Sequence, residues 1–256
     1  MPCALVLSAG GMFGAYQAGA WNVLSQRFQP DLVVGTSVGA LNGWAIAGGC
    51  SAAALAAMWR DPATAGAMRL RVPLLPWNGW IDPAGLLRQV EDWYTRFQPR
   101  VPYSATVVQV PQLRLVRVPG ERITPLHLMA SCAIPFGYPP VRIDGRLYVD
   151  GGLLDVLPVW AAAEMGATRV IAVNVLPQMP TRSLRAVVRA VRLFGQQPAA
   201  VPGLDVLQVS PRAPLGTVRD ALTWNAQNVE RWIRQGEDDA RGLDETLLRR
   251  CATPRG

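Results

Sequence analysis

The sequence contains no lysine and a single histidine. All 25 basic residues are arginine, and against 18 acidic residues they give a formal charge of +7 and a pI near 9.9. A GC-rich coding sequence explains an arginine-only composition most simply, so the bias does not by itself indicate a recognition site. The surplus charge favours anionic partners such as lipid headgroups. No nucleic-acid-binding motif accompanies it, so we expect no nucleic-acid partner.

Cysteine pairs and long apolar runs are also missing. Cys3, Cys50, Cys132 and Cys251 are far apart and include no CxxC pair, which favours reduced thiols over disulfides. No stretch approaches the ~18 apolar residues of a membrane-spanning helix, and the N-terminus lacks the basic flank of a signal peptide. We therefore expect a cytoplasmic protein, either free or peripheral to the inner face of a membrane.

Short apolar runs alternate with helix-like segments along the chain. A chain of 256 residues that is 50% hydrophobic and 17% charged can bury the core of one α/β domain. The runs at 4–7 and 32–34 have the length and composition of buried strands, and each precedes a helix-like segment. This alternation predicts an α/β fold with a mostly parallel central sheet between two layers of helices. We expect a single domain over 1–256, with a motif-bearing core at 4–176 and a helical and edge-strand part at 177–256.

The remaining segments predict further elements. Helices are predicted at 14–26, 38–47, 52–60 with Ser51 as N-cap, 83–97, 158–165, 181–194, 217–234 and 237–250. Strands are predicted at 105–110, 113–118, 169–175 and 205–209, and a hairpin around Asp144-Gly145 is predicted at 142–149. The proline-rich stretch between Pro62 and Pro83 predicts a surface loop or lid. The arginine-rich helix at 181–194 would either cover the domain or lie on an anionic membrane.

The most informative motif surrounds Ser37. Gly35-Thr36-Ser37-Val38-Gly39 follows a β-branched run and precedes an apolar helix, which is the setting of a nucleophile elbow. Gly35 and Gly39 suit that turn because a Cβ at either position would collide with the neighbouring strand and helix. A bare GxSxG pattern occurs by chance in something like ~1 chain in 10 of this length. The prediction of an exposed nucleophile therefore depends on the strand and helix around it.

Two residues are candidates for the base that would activate Ser37. His127 lies among apolar residues, where a lone histidine is more often a helix-face or core residue. Asp150 ends an apolar strand and is followed by Gly151 and Gly152, which let the backbone turn tightly beside the carboxylate. A plain Asp-Gly turn would give the same local pattern. We favour Asp150 as the base.

A glycine-rich turn follows the first predicted strand. Gly10, Gly11 and Met12 precede a helix at Gly14, so their backbone amides and the helix N-terminus can bind an anion. The turn lacks the Gly-Lys-Ser/Thr ending of a P-loop, and no acidic residue is well placed for a dinucleotide ribose. An oxyanion hole uses the same donors, and this is the preferred role.

These three elements, in this order, resemble the patatin-like phospholipase family, whose pattern is a glycine-rich oxyanion loop, then GxSxG, then Asp-Gly-Gly or Asp-Gly-Ala. The resemblance covers most of residues 4–176. It implies a three-layer α/β/α fold and a Ser-Asp dyad that cleaves lipid acyl esters through an acyl-enzyme, with no cofactor and no metal. It assigns Ser37 as nucleophile and Asp150 as base. The implied oxyanion donors are Gly10, Gly11 and Met12, and the implied supporting glycines are Gly14, Gly35, Gly39, Gly151 and Gly152.

The oxyanion loop departs from the family pattern at two positions. Ala9 stands for the first glycine, and Phe13 stands where the family has arginine or lysine. If that cation supports the oxyanion or binds a headgroup, Phe13 would weaken catalysis or shift the preference to less charged esters. Two alternatives therefore accompany the hydrolase prediction. One is a catalytically weak or silent relative that binds lipid or membrane, and the other is a thioesterase or acyltransferase that uses the same dyad.

Overall fold

The computed structural model of the protein describes residues 2–72, 79–177, 193–196, 201 and 203–243. Within them one eight-stranded sheet is formed. Its strands are β1 Cys3–Leu7, β2 Leu32–Thr36, β3 Tyr103–Val110, β4 Arg114–Pro119, β5 Val141–Ile143, β6 Arg146–Asp150, β7 Arg169–Val173 and β8 Asp205–Val209. The strand order is β5-β6-β3-β2-β1-β7-β8, and β4 also pairs with β3. β1, β2, β3, β7 and β8 run parallel, whereas β4 and β6 run antiparallel to β3.

Helices cover both faces of this sheet. They are α1 Gly14–Leu24, α2 Val38–Ala47, α3 Ala52–Arg60, α4 Pro83–Arg96, α5 Pro125–Ser131, α6 Val159–Glu164, α7 Val218–Leu222 and α8 Ala226–Arg241. Short 3-10 helices occur at Gly11–Phe13, Pro62–Met68, Gly120–Arg122 and Gly151–Leu153. None of the helices in the described part of the chain combines the length and hydropathy that crossing a bilayer requires.

Alternating side chains of β1 divide the core into two layers. Leu5 and Leu7 pack on the face that carries α1 to α5 and α8. Ala4 and Val6 point to the opposite face, where they pack with Trp160 of α6. Because β1 is buried on both faces, its sequence is a continuous apolar run, which is typical of parallel strands. The predicted three-layer α/β/α fold is confirmed.

Most predicted elements are present with small changes at their ends, and Ser51 caps α3 by accepting a hydrogen bond from the Ala54 amide at 3.2 Å. The predicted loop between Pro62 and Pro83 instead begins with a 3-10 helix, and Leu70 pairs with Ile81 in an isolated antiparallel bridge. Residues 73–78 of that loop lie outside the described residues.

The predicted division of the C-terminal helices was wrong. The segment 217–234 is two helices because the Asn225 side chain accepts a hydrogen bond from the Asn228 amide at 3.0 Å, which begins a new helix. That helix, α8, then runs through Gly236, where a Cβ would lie 2.1 Å from the Tyr16 carbonyl oxygen of α1. The predicted helix at 181–194 lies outside the described residues up to 192, as does 244–250.

Candidate active site

Ser37 lies between β2 and α2 in a backbone conformation that few residues other than glycine adopt. Its φ is 57° and its ψ is −129°, and such a conformation costs on the order of 1–3 kcal/mol. Tight packing on both sides maintains it. A Cβ on Gly35 would lie 2.1 Å from the Gly39 carbonyl oxygen, and a Cβ on Gly39 would lie 2.4 Å from the Leu7 carbonyl oxygen. The local geometry is that of a strand-turn-helix elbow. The prediction that this elbow exposes its serine was wrong, because Ser37 faces a small cavity inside the protein and is only 3% exposed.

A second serine holds this turn in place. The backbone amide of Ser37 donates to Oγ of Ser131 at 2.9 Å, and that hydroxyl donates to the carbonyl oxygen of Thr106 at 2.9 Å. Ser131 is fully buried at the end of α5. It therefore connects the elbow to β3. Sequence reasoning did not single it out, because its contact with residue 37 joins positions that are distant in sequence.

Asp150 approaches Ser37 from an antiparallel strand. In the sheet Thr36 is paired with Thr106 on one side of β3, while Asp150 is paired with Val107 on the other side. The end of β2 and the end of β6 therefore lie one residue apart along β3. The Asp150 amide also donates to the Ala133 carbonyl oxygen at 3.0 Å. The structure thus brings together the two residues that sequence reasoning paired.

The Asp150 carboxyl group is buried, and burial raises its pKa from 3.8 to about 7. Hydrogen bonds from the Ser37 hydroxyl and from the Gly152 amide oppose this effect, because both stabilise the charged form. The Gly152 amide donates to Oδ1 at 2.7 Å. A carboxyl group that titrates near neutral pH and is hydrogen-bonded to a serine hydroxyl can accept the proton of that hydroxyl.

The glycine-rich turn forms a 3-10 helix, Gly11–Phe13, that leads into α1. The first amides of a helix have no carbonyl partner within it, so they are available to an anion. Gly11 and Met12 line the same cavity as Ser37. Gly10 is the N-cap of this short helix, and its carbonyl oxygen accepts from the Phe13 amide at 3.2 Å.

Gly11 has a positive φ of 56° and lies directly under α7. A Cβ on Gly11 would be 2.3 Å from the carbonyl oxygen of Ala221. This close contact between α7 and Gly11 restricts the conformation of the turn, so the C-terminal part of the chain helps to position the candidate oxyanion donors.

Phe13 points away from the cavity. Its side chain is buried, and its ring meets the ring of Trp232 edge-on at a centroid distance of 5.0 Å. Position 13 thus serves to pack the loop against α8. The effect of Phe13 on catalysis or on ester preference stays a prediction.

A buried network of hydrogen-bonded polar side chains stabilises the glycine-rich turn. The Gln17 side-chain amide donates to the Ser8 carbonyl oxygen at 2.7 Å, and the Asn42 side-chain amide donates to the Gly14 carbonyl oxygen at 3.0 Å and to Oε1 of Gln17 at 2.9 Å. Trp59 Nε1 completes the network by donating to Oδ1 of Asn42 at 3.0 Å. These contacts join the turn to α2 and α3. Only the tertiary structure reveals them, because each pair is distant in sequence.

An apolar cavity begins at Ser37 and extends toward α4. Its volume is about 40 Å³, which is room for a few water molecules only. The lining residues are mostly aliphatic, aromatic or sulfur-containing, and they include Leu41, Trp59, Met68, Leu86, Trp93, Ile134 and Tyr138. An acyl chain matches this lining chemically, and binding one requires the walls to separate.

His127 takes no part in this arrangement among the described contacts. Its Nδ1 lies 3.3 Å from the Thr124 amide and 2.9 Å from the Thr124 hydroxyl, so it caps α5. Burial lowers its pKa from the ordinary value. The preference for Asp150 over His127 as the base agrees with these contacts.

Cys132 lines the cavity beside Ser37. Burial raises its pKa well above the ordinary value, so the thiol stays protonated at neutral pH. Cys50 and Cys132 are free thiols, Cys3 is buried in β1, and Cys251 lies outside the described residues. Within the described part of the chain, no group of three His, Cys, Asp or Glu side chains is arranged to hold a metal ion.

Residues 5–163 match the family described as patatin-like phospholipase. The chain is 29% identical over 187 residues to patatin-like phospholipase domain-containing protein 7 of Rattus norvegicus, and 27% identical over 188 residues to the lysophospholipase NTE1 of Mycosarcoma maydis. These alignments cover 67% and 68% of this chain but only 13% and 10% of those relatives.

A solved structure has the same fold. The crystal structure of VipD from Legionella pneumophila superposes with a TM-score of 0.55 at 14% sequence identity, over 97% of this chain and 67% of VipD.

Proposed function

Because this chain belongs to the patatin-like phospholipase family, we propose that it is a serine acyl hydrolase that cleaves lipid acyl esters, with Ser37 as nucleophile and Asp150 as base. One observation carries the proposal. The hydroxyl of a strained elbow serine is hydrogen-bonded to a buried carboxyl group whose pKa is raised to about 7, at the end of an apolar cavity.

The proposed reaction has two steps. Asp150 accepts the proton of the Ser37 hydroxyl as its oxygen attacks the ester carbonyl carbon, and the amides of Gly11 and Met12 donate to the developing oxyanion, with Gly10 as a further candidate. The protonated Asp150 then returns the proton to the leaving alcohol as the carbon–oxygen bond breaks. In the second step water attacks the acyl carbon of the acyl-enzyme and Asp150 accepts a proton from it. Asp150 then returns that proton to Oγ of Ser37 as the acyl carbon–Oγ bond breaks, which releases the free acid.

The surroundings of Asp150 support its role as a base. An ordinary aspartate, with a pKa near 3.8, accepts protons poorly at neutral pH, whereas burial here raises the pKa to about 7. A bound acyl chain would fill the apolar cavity and keep this environment dry. The substrate would then contribute to the conditions that its own cleavage requires.

The proposal is tested by labelling with a fluorophosphonate ester followed by intact-mass analysis. The wild type should gain one adduct, and Ser37→Ala should gain none. Asp150→Asn should label at least a hundredfold more slowly, since the base contributes about that much. His127→Ala is the matched control and should label at the wild-type rate. A folded wild type that takes up no label would favour the catalytically silent lipid-binding alternative, and a large loss in His127→Ala would replace the dyad by a triad.

A panel of substrates then separates the hydrolase from its alternatives. Phospholipid, lysophospholipid and acyl thioesters of equal chain length are compared, with and without an alcohol as acyl acceptor. Faster release of fatty acid from oxygen esters, with no acylated alcohol, supports the hydrolase. A preference for thioesters, or transfer to the alcohol, would assign the same residues to the other activities.

A further inference from the structure

Four large apolar side chains are exposed together on one side of the molecule. Leu70 is 75% exposed, Val72 is 89%, Trp80 is 52% and Phe136 is 74%. We call these four residues the apolar rim. Single exposed apolar residues are common, but a group of large ones usually marks a binding surface.

Backbone hydrogen bonds join the segments that carry the apolar rim. The Arg71 amide donates to the Trp80 carbonyl oxygen at 2.9 Å, and Leu70 is bridged to Ile81. The Trp80 amide in turn donates to the Phe136 carbonyl oxygen at 3.0 Å. Three separate stretches of the chain therefore form one continuous surface.

The apolar rim lies directly beside the cavity that contains Ser37. Ala67 and Met68 precede Leu70 and line that cavity, as do Ile134 and Tyr138 on either side of Phe136. The Tyr138 hydroxyl donates to the Ala67 carbonyl oxygen at 2.5 Å and so connects the two walls. A molecule held at the apolar rim would be next to the path into the site.

The apolar rim carries more positive than negative charge. The described stretches that form it, 62–72, 79–82 and 133–140, contain Arg69, Arg71 and one acidic residue, Asp82, whose amide donates to the Arg69 carbonyl oxygen at 2.8 Å. Exposed arginines beside apolar side chains can contact lipid phosphates while their neighbours enter the acyl region. Tryptophan in particular favours the boundary between headgroups and hydrocarbon.

We propose that the apolar rim is the surface by which this protein docks on an anionic lipid bilayer. The proposal deepens the proposed function and rests on it, because the bilayer is the source of the acyl ester. Docking places the cavity against the membrane, so a lipid can pass an acyl chain from the bilayer to Ser37 without crossing water. A bilayer fits better than a protein groove because the rim is continuous with an apolar cavity that suits an acyl chain.

Binding is measured by sedimentation with phosphatidylcholine vesicles, with and without phosphatidylglycerol. The Ser37→Ala protein is used so that the vesicles stay intact. Adding Val72→Ser and Phe136→Asn should weaken the partition coefficient by about tenfold or more, since each removes apolar area from the contact. Asn suits position 136 because Phe136 has a φ of 64°. The matched control is Val206→Ser on β8. It replaces a valine that is 41% exposed and lies on an edge strand of the sheet, away from the apolar rim.

A second pair of variants measures how much positive charge contributes to vesicle binding. Arg69→Gln should weaken binding to vesicles that contain phosphatidylglycerol more than binding to neutral ones. Arg234→Gln on α8 changes the net charge equally and should leave both unchanged. Equal binding by the rim variants and their controls, or binding that ignores lipid charge, would overturn the proposal.

Turnover separates this proposal from the proposed function. In the protein that retains Ser37, the double variant Val72→Ser with Phe136→Asn should hydrolyse a monomeric short-chain ester at the wild-type rate. It should hydrolyse vesicle phospholipid at least tenfold more slowly than the wild type. Rim-dependent vesicle binding without any hydrolysis would refute the proposed function and leave the docking surface supported. Rim variants that hydrolyse vesicle lipid at the wild-type rate would contradict the docking surface alone.

Discussion

Asp150 is a buried carboxyl group of the candidate site, and its pKa of about 7 has a kinetic consequence. If Asp150 is the base, only its ionised form is active. We expect kcat/KM for a soluble ester to rise with pH, to reach half its maximum near pH 7 and to level off above it. A pH–rate profile checks this. A midpoint near 4 would mean that water reaches the carboxyl group in the free protein.

The same pKa predicts how stability changes with pH. The unfolded carboxyl group ionises near 3.8, whereas the folded one keeps its proton up to about 7. Between these values the unfolded state binds fewer protons, so the free energy of unfolding falls as pH rises. Asp150→Asn has no carboxyl group that ionises at this position. Relative to that of the wild type, its free energy of unfolding should therefore rise by up to about 4 kcal/mol between pH 4 and pH 8. Denaturant titrations at both pH values measure the difference, and parallel curves would contradict the raised pKa.

Ser131 is expected to position Ser37 without touching substrate. Ser131→Ala leaves the buried Ser37 amide without its partner, which costs about 1–3 kcal/mol. We expect kcat to fall about tenfold or more, with KM nearly unchanged. Ser104→Ala is the control, since Ser104 is equally buried and bonds Arg117. If the two variants had equal activity, Ser131 would have a structural role only.

At the scale of single residues, the sequence predicts the groups whose signal is local. Ser37 and Asp150 each stand in a short pattern that combines a strand end with glycines. Ser131 acts through a contact with residue 37, and Phe13 through a contact with Trp232. No local pattern carries such a contact, so these two roles could not be derived before the fold was known.

The cavity wall formed by α4 predicts an effect on acyl-chain length. Leu86 lines the cavity, so Leu86→Ala should enlarge it and raise kcat/KM for longer acyl chains relative to butyrate, at a stability cost of about 2–5 kcal/mol. Val90→Ala is the control, because Val90 is fully buried on the same helix but does not line the cavity. A series of nitrophenyl esters measures the ratio. An unchanged chain-length profile in Leu86→Ala would mean that the acyl chain binds elsewhere.

Helices and strands were predictable where one residue decides the boundary. Ser51 and Pro83 each start a helix at the predicted place. The break before Ala226 depends on the side chain of Asn225, and the continuity of α8 depends on the fit of Gly236 against α1. Glycine can end a helix or permit close packing, and only the packing partner distinguishes the two uses.

Across the whole molecule, the C-terminal helix α8 forms part of the frame of the site. Phe13 follows the candidate oxyanion turn and packs on Trp232, and both are buried. Restoring the family's cation by Phe13→Arg would therefore place a charge in a buried, aromatic environment. We expect it to lower the free energy of unfolding by more than about 3 kcal/mol and to reduce activity. Denaturant titration against Phe13→Leu checks this, and a stable, more active Phe13→Arg protein would contradict it.

The position of β3 between the two halves of the candidate dyad has a consequence for biogenesis. Ser37 follows β2, Asp150 ends β6, and the pair exists only after β3 has paired with both strands. A nascent chain that exposes the serine carries no partner for it. If the proposed dyad is correct, covalent labelling of Ser37 would report the completion of folding, and the topology alone would prevent hydrolysis by an incomplete chain.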